Sequence, residues 1–507
     1  MLKYHHLEAV IGLEVHTQLK TRSKLFCECD NSAEGAAPNT LICPICVGHP
    51  GTLPNPNREA LRYAVRAGLA LNCKINSPTF FDRKHYLYPD LPKGYQISQY
   101  DVPVASEGEL TVEFQGGTRT PIKVRIERIH LEDDAAKNIH HGGKTLVDFN
   151  RSGTPLIEMV TKPDLQTPED AKSFLQEYRR IMRTLGVSEA DMEKGHLRCD
   201  ANVSLRPVDE NCRPTESEFY PKTEVKNMNS FKSVERALIF EIQRQKELWG
   251  ANTPPAENTT RGWDAVKQKT ILQRTKEVAA DYRYMREPDL PPVDLVSLVK
   301  EEKQTMPELP SAKRLRFKEE FGLADEISWT LTNEPAISAF TENAASEFYA
   351  WIVANTDVTE ESVAKSHRDA LGRLLGTWLA TKLLGLLEEK KESVNDTNLT
   401  AENFAEFLAM IFQKKLSNTN GFSVLEHMLE NGSDPHEVVA ELGVGADTSV
   451  DINDIADKVI ASLPTQVADY RSGKTALLQF FVGQVMKETK SAADPSEVSK
   501  LLIDKLR

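Results

Sequence analysis

Four stretches of this chain alternate apolar and polar side chains, and each carries charge on its polar side. A period of two is the signature of a strand with one buried face. In IGLEVHTQL (11–19), Ile11, Leu13 and Val15 point one way and Glu14, His16 and Gln18 the other. At roughly 3.3 Å per residue, the Glu14 and His16 side chains stand about 6.6 Å apart on one face. In IKVRIERIHLEDD (122–134), apolar residues fall at 122, 124 and 126, then switch to 129 and 131. Glu127 and Arg128 stand at the switch, which predicts a β-bulge that re-aims the side chains beyond it, with Glu132, Asp133 and Asp134 directly following. PLIEMV (155–160) places one charge, Glu158, in an apolar run, where it should meet a cation, a metal or a donor. LRCDANVSLR (197–206) sets Arg198, Asp200, Asn202, Ser204 and Arg206 on one face.

One such strand is explained by a sheet that wets its polar face. Together the four suggest a concave polar face on which Glu14, His16, Asp133 and Glu158 form a carboxylate-rich cluster with one imidazole. Oxygen-rich sets suit Mg²⁺, which keeps several waters and engages nucleotide phosphates. His16 could ligate the ion or orient a ligand. The segment FDRKHYLYPDLPKGYQISQYD (81–101) crowds Arg83, Lys84 and Lys93 with Tyr86, Tyr88, Tyr95 and Tyr100. Cations beside a carboxylate–metal site are what a phosphate substrate needs, and tyrosines stack on bases; a solvated loop with packed tyrosines is the plainer alternative. No Walker motif, kinase Gly-rich loop or Ser/His/Asp arrangement is found. Spacing alone therefore defines no reaction.

Cys27 and Cys29, then Cys43 and Cys46, lie in one loop rich in Gly, Pro and Asn. Four thiolates within twenty residues suit tetrahedral zinc with no open position, hence a structural ion; unligated loop thiols are the alternative. Cys73, Cys199 and Cys212 read as packing or surface thiols.

At 507 residues the chain exceeds one core, and about three domains are expected. The net charge of −13 argues against tight non-specific nucleic-acid binding but leaves room for a tRNA held by local basic patches. No membrane-span-length apolar run and no signal segment are expected, which points to a cytoplasmic protein with reduced thiols. EPDLPPVDL (287–295) reads as a boundary and KKESVNDTNLT (390–400) as a second linker. The expected domains are 1–295, 296–398 and 399–507, an α+β fold in which an antiparallel-sheet cradle precedes a helical domain and a small helical tail. Ser311 and Thr400 are expected helix caps, with Phe404, Phe407, Leu408 and Ile411 at helical spacing.

Beyond periodicity, IGLEVHTQL, CPICVGHPGTLPNPN, FDRKHYLYPDLPKGYQISQYD, LVDFNRSGTPLIEMV, GHLRCDANVSLRP, EVKNMNSF, DYRYMREPDLPP and YRSGKTALLQFFVGQVMKET closely resemble the B subunits of the glutamyl/aspartyl-tRNA amidotransferases, in order along nearly the whole chain. The resemblance implies a substrate tRNA misacylated as Glu-tRNA(Gln) or Asp-tRNA(Asn). It implies that ATP and Mg²⁺ serve to phosphorylate the side-chain carboxylate. Ammonia from a separate glutaminase of amidase fold, the A subunit, then displaces the phosphate, and a small C subunit clasps the other two. The family's metal positions fall on Glu14, His16, Asp133 and Glu158. Relatives commonly carry glutamate at the third, and Glu132 is the neighbouring substitute. The resemblance puts Lys84 and Lys93 near the phosphates and the tunnel mouth, with Arg83 a further phosphate-binding candidate from its place in the cationic segment; it puts structural Zn²⁺ on the four loop cysteines, and the tRNA body on the tail, where Lys474, Lys487 and Lys490 are candidate contacts.

Overall fold

The four alternating stretches stand side by side in one sheet. The structure, a computed structural model, describes residues 6–216, 218–276, 282–355, 367–444, 452–489 and 495–506. It divides into two units, Met1–Pro310 and Ser311–Arg507. The first runs β1 (Leu7–Gln18), α1 (Arg58–Ala70), β2 (Lys74–Ile75), β3 (Asp82–His85), β4 (Tyr95–Ser98), β5 (Ala105–Val112), β6 (Ile122–Asp133), β7 (Lys137–His141) and β8 (Lys144–Asp148). It continues with β9 (Pro155–Thr161), α2 (Pro168–Thr184), β10 (Leu197–Pro207), β11 (Thr223–Met228), α3 (Phe231–Gly250), β12 (Asn258–Asp264), β13 (Lys269–Lys276), β14 (Met285–Arg286) and α4 (Val296–Thr305).

Nine strands form one sheet in the order β13-β12-β11-β10-β1-β9-β6-β5-β2. Its pairs are antiparallel except β11 with β12. The register shift between Ile126 and Arg128 is the bulge expected from the alternation. Ile11, Leu13, Val15, Ile129, Leu131, Ile157 and Met159 join Ala64 of α1, Phe174 of α2 and Leu238 of α3 in one buried core. Helices therefore cover the apolar face, and the polar side chains of β10, β1, β9 and β6 take the other. The helix starts are chemically fixed. Asn57 accepts from the Glu59 and Ala60 amides, and Thr167 and Asp170 form a capping box ahead of Pro168.

The first unit ends later than the proline-rich run at 287–295 suggests. Leu295 and Leu298 belong to its core, and buried Glu302 of α4 pairs with Arg66 of α1. A helix anchored by apolar burial and a buried ion pair stays with that unit, so the division falls at Pro310.

The second unit is helical. One core includes Phe317, Phe348, Leu375, Trp378, Phe404 and Phe407 and runs through the polar 390–400 segment, because Ala401–Phe412 packs back on Pro335–Asn355. A separate core gathers Ala456, Val459, Phe481, Val485, Val498 and Leu502. Thr400 caps its helix by accepting from the Asn403 amide at 3.1 Å, whereas the helix near Ser311 already begins at Pro310. Among the described residues one helical run, Arg368–Lys390, is long and apolar enough to cross a membrane by length and composition, where no run of that length is expected. Half of its apolar window is buried in the protein, and Leu371, Leu375, Trp378, Leu379 and Leu383 line the core, as in the core helix of a folded domain.

Candidate functional site

Glu158 occupies the middle strand of three. Across one ladder it faces His16 of β1, and across the other His130 of β6. Strand register thus brings two imidazoles onto one carboxylate. Both Nε2 atoms lie 3.3 Å from Glu158 Oε2. Glu132, two residues past His130 and so on the same face, reaches His16 at 3.6 Å and His130 at 3.7 Å. Glu14 closes the cluster 3.8 Å from His16. The candidate ligand atoms fall into two overlapping triads, Glu14–His16–Glu158 and His130–Glu132–Glu158, with the atoms of each within 4.8 Å of one another.

The electrostatics follow from two buried acids, Glu132 and Glu158, with half-buried Glu14 beside them. Burial opposes a charge on His16, but the hydrogen bond and charge of Glu158, then Glu132 and Glu14, hold its imidazole up at about 9. His130 is held at about 9 against burial by Glu158 and Glu132. Burial likewise opposes ionisation of Glu158, yet His130 and His16 keep its carboxyl well below the usual range. Glu14 is raised, by burial first and then by Glu158. In this protein the protonated imidazoles balance the acids. A divalent cation would do the same, and the donor set of carboxylate oxygens with one or two imidazoles fits Mg²⁺.

Asp133 is not brought into this cluster. Past the bulge the apolar face runs 129, 131, so 133 falls on that face and 132 on the polar one. Asp133 is buried there, pairs with Lys93 and accepts from the Ile97 amide at 2.7 Å. Glu132 takes the position expected of it. Lys93 thus lies on the far side of β6, where a cavity of 220 Å³ is lined by Phe26, Cys46, Gly48, Lys93, Tyr95 and Asp133 among others.

Alternation also separates Arg83 from Lys84 on β3. Arg83 makes a two-pronged ion pair with buried Glu287, at 2.8 and 2.7 Å, and stacks on Tyr95. It does not meet the cluster. The Lys84 ammonium does. Burial opposes its charge, but Glu132, then Tyr284 and Glu158, outweigh burial and hold its pKa above the ordinary value. Its Nζ also stands 5.0 Å over the Tyr282 ring. From there aromatic contacts link Tyr86 to Tyr282, Tyr282 to Tyr284, and Tyr284 to Tyr100, the last pair stacked at 4.4 Å. Tyr100 is 61% exposed, so this row runs from the charged cluster to solvent.

Cys27, Cys29, Cys43 and Cys46 place their Sγ atoms within 4.8 Å of one another. Tetrahedral zinc with bonds of about 2.3 Å needs sulfurs about 3.8 Å apart. The loop is thus shaped for such an ion. Of the tail lysines, Lys474 is exposed and paired with Asp469 at 3.1 Å, and Lys487 is exposed. Lys490 lies outside the described residues.

Local periodicity gives His130 no role, because its partnership with Glu158 depends on strand register. Tyr282 and Tyr284 come from a segment far along the chain, beside β14, which pairs with β3.

Comparison with known proteins agrees with this architecture. Residues 9–301 match the family described as GatB/GatE catalytic domain, and residues 357–506 the one described as GatB domain. Curated relatives are named as B subunits of aspartyl/glutamyl-tRNA(Asn/Gln) amidotransferase. The one from Thermodesulfovibrio yellowstonii is 43% identical over 99% of each chain. That from Carboxydothermus hydrogenoformans is 42% identical over 98% of each. That from Acaryochloris marina is 42% identical over 99% of this chain and 98% of its own. With its catalytic-domain match and full-length relatives, this chain belongs to the family of tRNA-dependent amidotransferase B subunits.

Proposed function

We propose that the chain activates the side-chain carboxylate of Glu-tRNA(Gln) or Asp-tRNA(Asn) for amide formation, using ATP and Mg²⁺, in a glutamine-hydrolysing amidotransferase. The observation that carries this reading is the convergence of Glu14, His16, Glu132 and Glu158 beside Lys84. These four residues would hold Mg²⁺, which offsets phosphate charge when bound. Lys84 presents an ammonium to the same space and stabilises charge on a transferring phosphoryl group. A carboxylate is a poor acceptor for ammonia because it would have to expel oxide or hydroxide. Transfer of a phosphoryl group to its oxygen makes phosphate the leaving group. The exposed end of the tyrosine row, Tyr100, offers a flat face for an adenine ring of nucleotide or tRNA.

The name shared by the relatives is that of one component of a larger enzyme, and we assign the partners accordingly. They are a glutaminase, the A subunit, supplying ammonia; a small C subunit; and tRNA met partly by the tail, where Lys474 and Lys487 are exposed. The cavity beside Lys93 and Asp133 supports an approach for ammonia from behind β6. The four cysteines would hold structural Zn²⁺. A cytoplasmic setting is part of this proposal.

The test is a coupled assay of the assembled enzyme with misacylated tRNA, ATP, Mg²⁺ and either glutamine or ammonium, scoring Gln-tRNA and Asn-tRNA separately. Amide formation that requires ATP, and that Glu14→Gln abolishes, is expected. Full activity of Glu14→Gln would make the chain a tRNA adaptor with its chemistry elsewhere.

A further inference from the structure

Lys24 is a buried ammonium with no carboxylate beside it. Its side chain is completely buried, and among the described residues no acidic group lies within ion-pair distance of Nζ. Nζ donates to the Leu41 carbonyl at 2.8 Å and the Phe149 carbonyl at 3.5 Å, and lies 3.7 Å from Cys46 Sγ. Carbonyl dipoles solvate a cation but do not neutralise it, and an unneutralised buried charge is costly. Cys46 Sγ is the one atom among these partners able to carry a full negative charge. Four neutral thiols would leave Lys24 uncompensated. Four thiolates on one divalent ion carry a net charge of minus two, since four negative charges meet two positive ones.

We propose that Lys24 is the built-in counter-cation of a tetrathiolate metal centre: its ammonium donates to Cys46 Sγ, offsets part of the excess thiolate charge, and so retains the metal. This rests on the reading that the four cysteines hold zinc. The surroundings fit the role. The Cys43 amide also donates to Cys46 Sγ, at 3.2 Å, so two donors converge on that sulfur. The stem of Lys24 packs beside Gly153, whose φ of +87° favours glycine and whose added Cβ would lie 3.5 Å from Lys24 Cδ and 3.4 Å from Cys46 Cβ. The Ser152 hydroxyl donates to the Cys46 carbonyl at 2.9 Å, and the Leu25 amide to the Gly153 carbonyl at 2.8 Å. The Lys24 amide also donates to the Cys29 carbonyl at 3.0 Å, so Lys24 ties the two cysteine pairs to the turn that leads into β9, the strand of Glu158.

The experiment uses the full-length chain, loaded with zinc or with cobalt as a spectroscopic stand-in. Zinc loss to a chelator is followed as a function of pH for the native sequence and for Lys24→Met. Removing the ammonium should speed zinc release about tenfold, as losses of groups around metal ligands do, and shift acid-induced release to higher pH. The sulfur-to-cobalt charge-transfer band should shift as well, which loss of packing alone would not produce. Equal release rates and an unshifted band overturn the role of Lys24 while leaving the zinc centre intact. A native chain that binds neither metal overturns both. Should Lys24→Met not fold, the native chain is treated with an amine-acetylating reagent before and after zinc removal, and Lys24 is followed by mass spectrometry. At least about tenfold faster labelling after zinc removal is expected; unchanged protection overturns the proposal.

Discussion

His130 and Glu158 face each other across β6 and β9, with Nε2 3.3 Å from Oε2 and the far ring nitrogen, Nδ1, buried without a partner. A histidine that ligates metal through Nε2 carries its proton on Nδ1 and usually donates it onward. Among the described residues nothing accepts from Nδ1. In the cation-bound cluster, where the ion replaces the imidazolium charge and His130 carries one proton, the favourable tautomer keeps it on Nε2, facing Glu158 and Glu132. His130 then orients the acids, and His16 is the imidazole left to ligate. His130→Gln, which can present an N–H near the Nε2 position, is expected to retain divalent-cation affinity. His130→Ala should weaken it about 10- to 100-fold. Manganese binding followed by electron paramagnetic resonance distinguishes the two, and equal losses in both variants would refute the orienting role.

The neighbouring acids Glu132 and Asp133 should behave oppositely, because they lie on opposite faces of β6. Glu132→Gln removes a charge from the cluster and should weaken cation binding at least about tenfold. Asp133→Asn removes the partner of Lys93 and should leave cation affinity unchanged while lowering thermal stability. Calorimetric titration with Mg²⁺ alongside thermal melts gives both readings. A Glu132 variant with native affinity would return the ligand role to Asp133.

Much of this site was written in local periodicity. The strands carrying Glu14, His16, Glu132, Glu158 and Arg198, the bulge after Ile126, and the grouping of the four cysteines all follow from spacing over ten or twenty residues. The choice between Glu132 and Asp133 was legible too. With Ile129 and Leu131 inward, alternation puts 132 outward, but three consecutive acids obscured it. Other features needed register between strands distant in sequence. His130 gains its meaning only opposite Glu158, and Lys84 separates from Arg83 on a strand of four residues, too short to display a period. Lys24 resembles any loop lysine until three segments close around it. The polar stretch 390–400 resembles a linker because its composition cannot show that the next helix packs back onto an earlier one.

Cation binding should depend on pH with a definite sign. In the cation-free cluster His16 is held at about 9, and only its neutral form can ligate. Below that pH each bound cation must displace a proton, so affinity falls as pH drops. The apparent dissociation constant should decrease by up to about tenfold per pH unit between neutrality and pH 9, then level off. Proton release measured by calorimetry in buffers of different ionisation enthalpy provides an independent check. Affinity that is flat with pH, with no proton released, would mean that His16 stays protonated and does not ligate.

Arg83 and Lys84 allow structural and chemical roles to be separated in adjacent residues. The Arg83 guanidinium is committed to Glu287, whose side chain is fully buried. Arg83→Met leaves that carboxylate uncompensated and should cost about 3 kcal/mol, the lower end for a broken buried pair because Arg83 itself is partly exposed. Lys84 instead faces Glu132 and Glu158, which keep the His16 and His130 imidazoles as partners when it is lost, and its removal takes a cation from the space a phosphoryl group would occupy. Lys84→Met should therefore keep most of the thermal stability while reducing ATP-dependent activation of the aminoacyl group at least about a hundredfold, the scale expected for removing one stabilising donor. Chemical denaturation and ATP consumption by the assembled enzyme measure the two effects. Native turnover with Lys84→Met would remove Lys84 from the site, and an undiminished unfolding midpoint with Arg83→Met would show that the Glu287 carboxyl finds another partner.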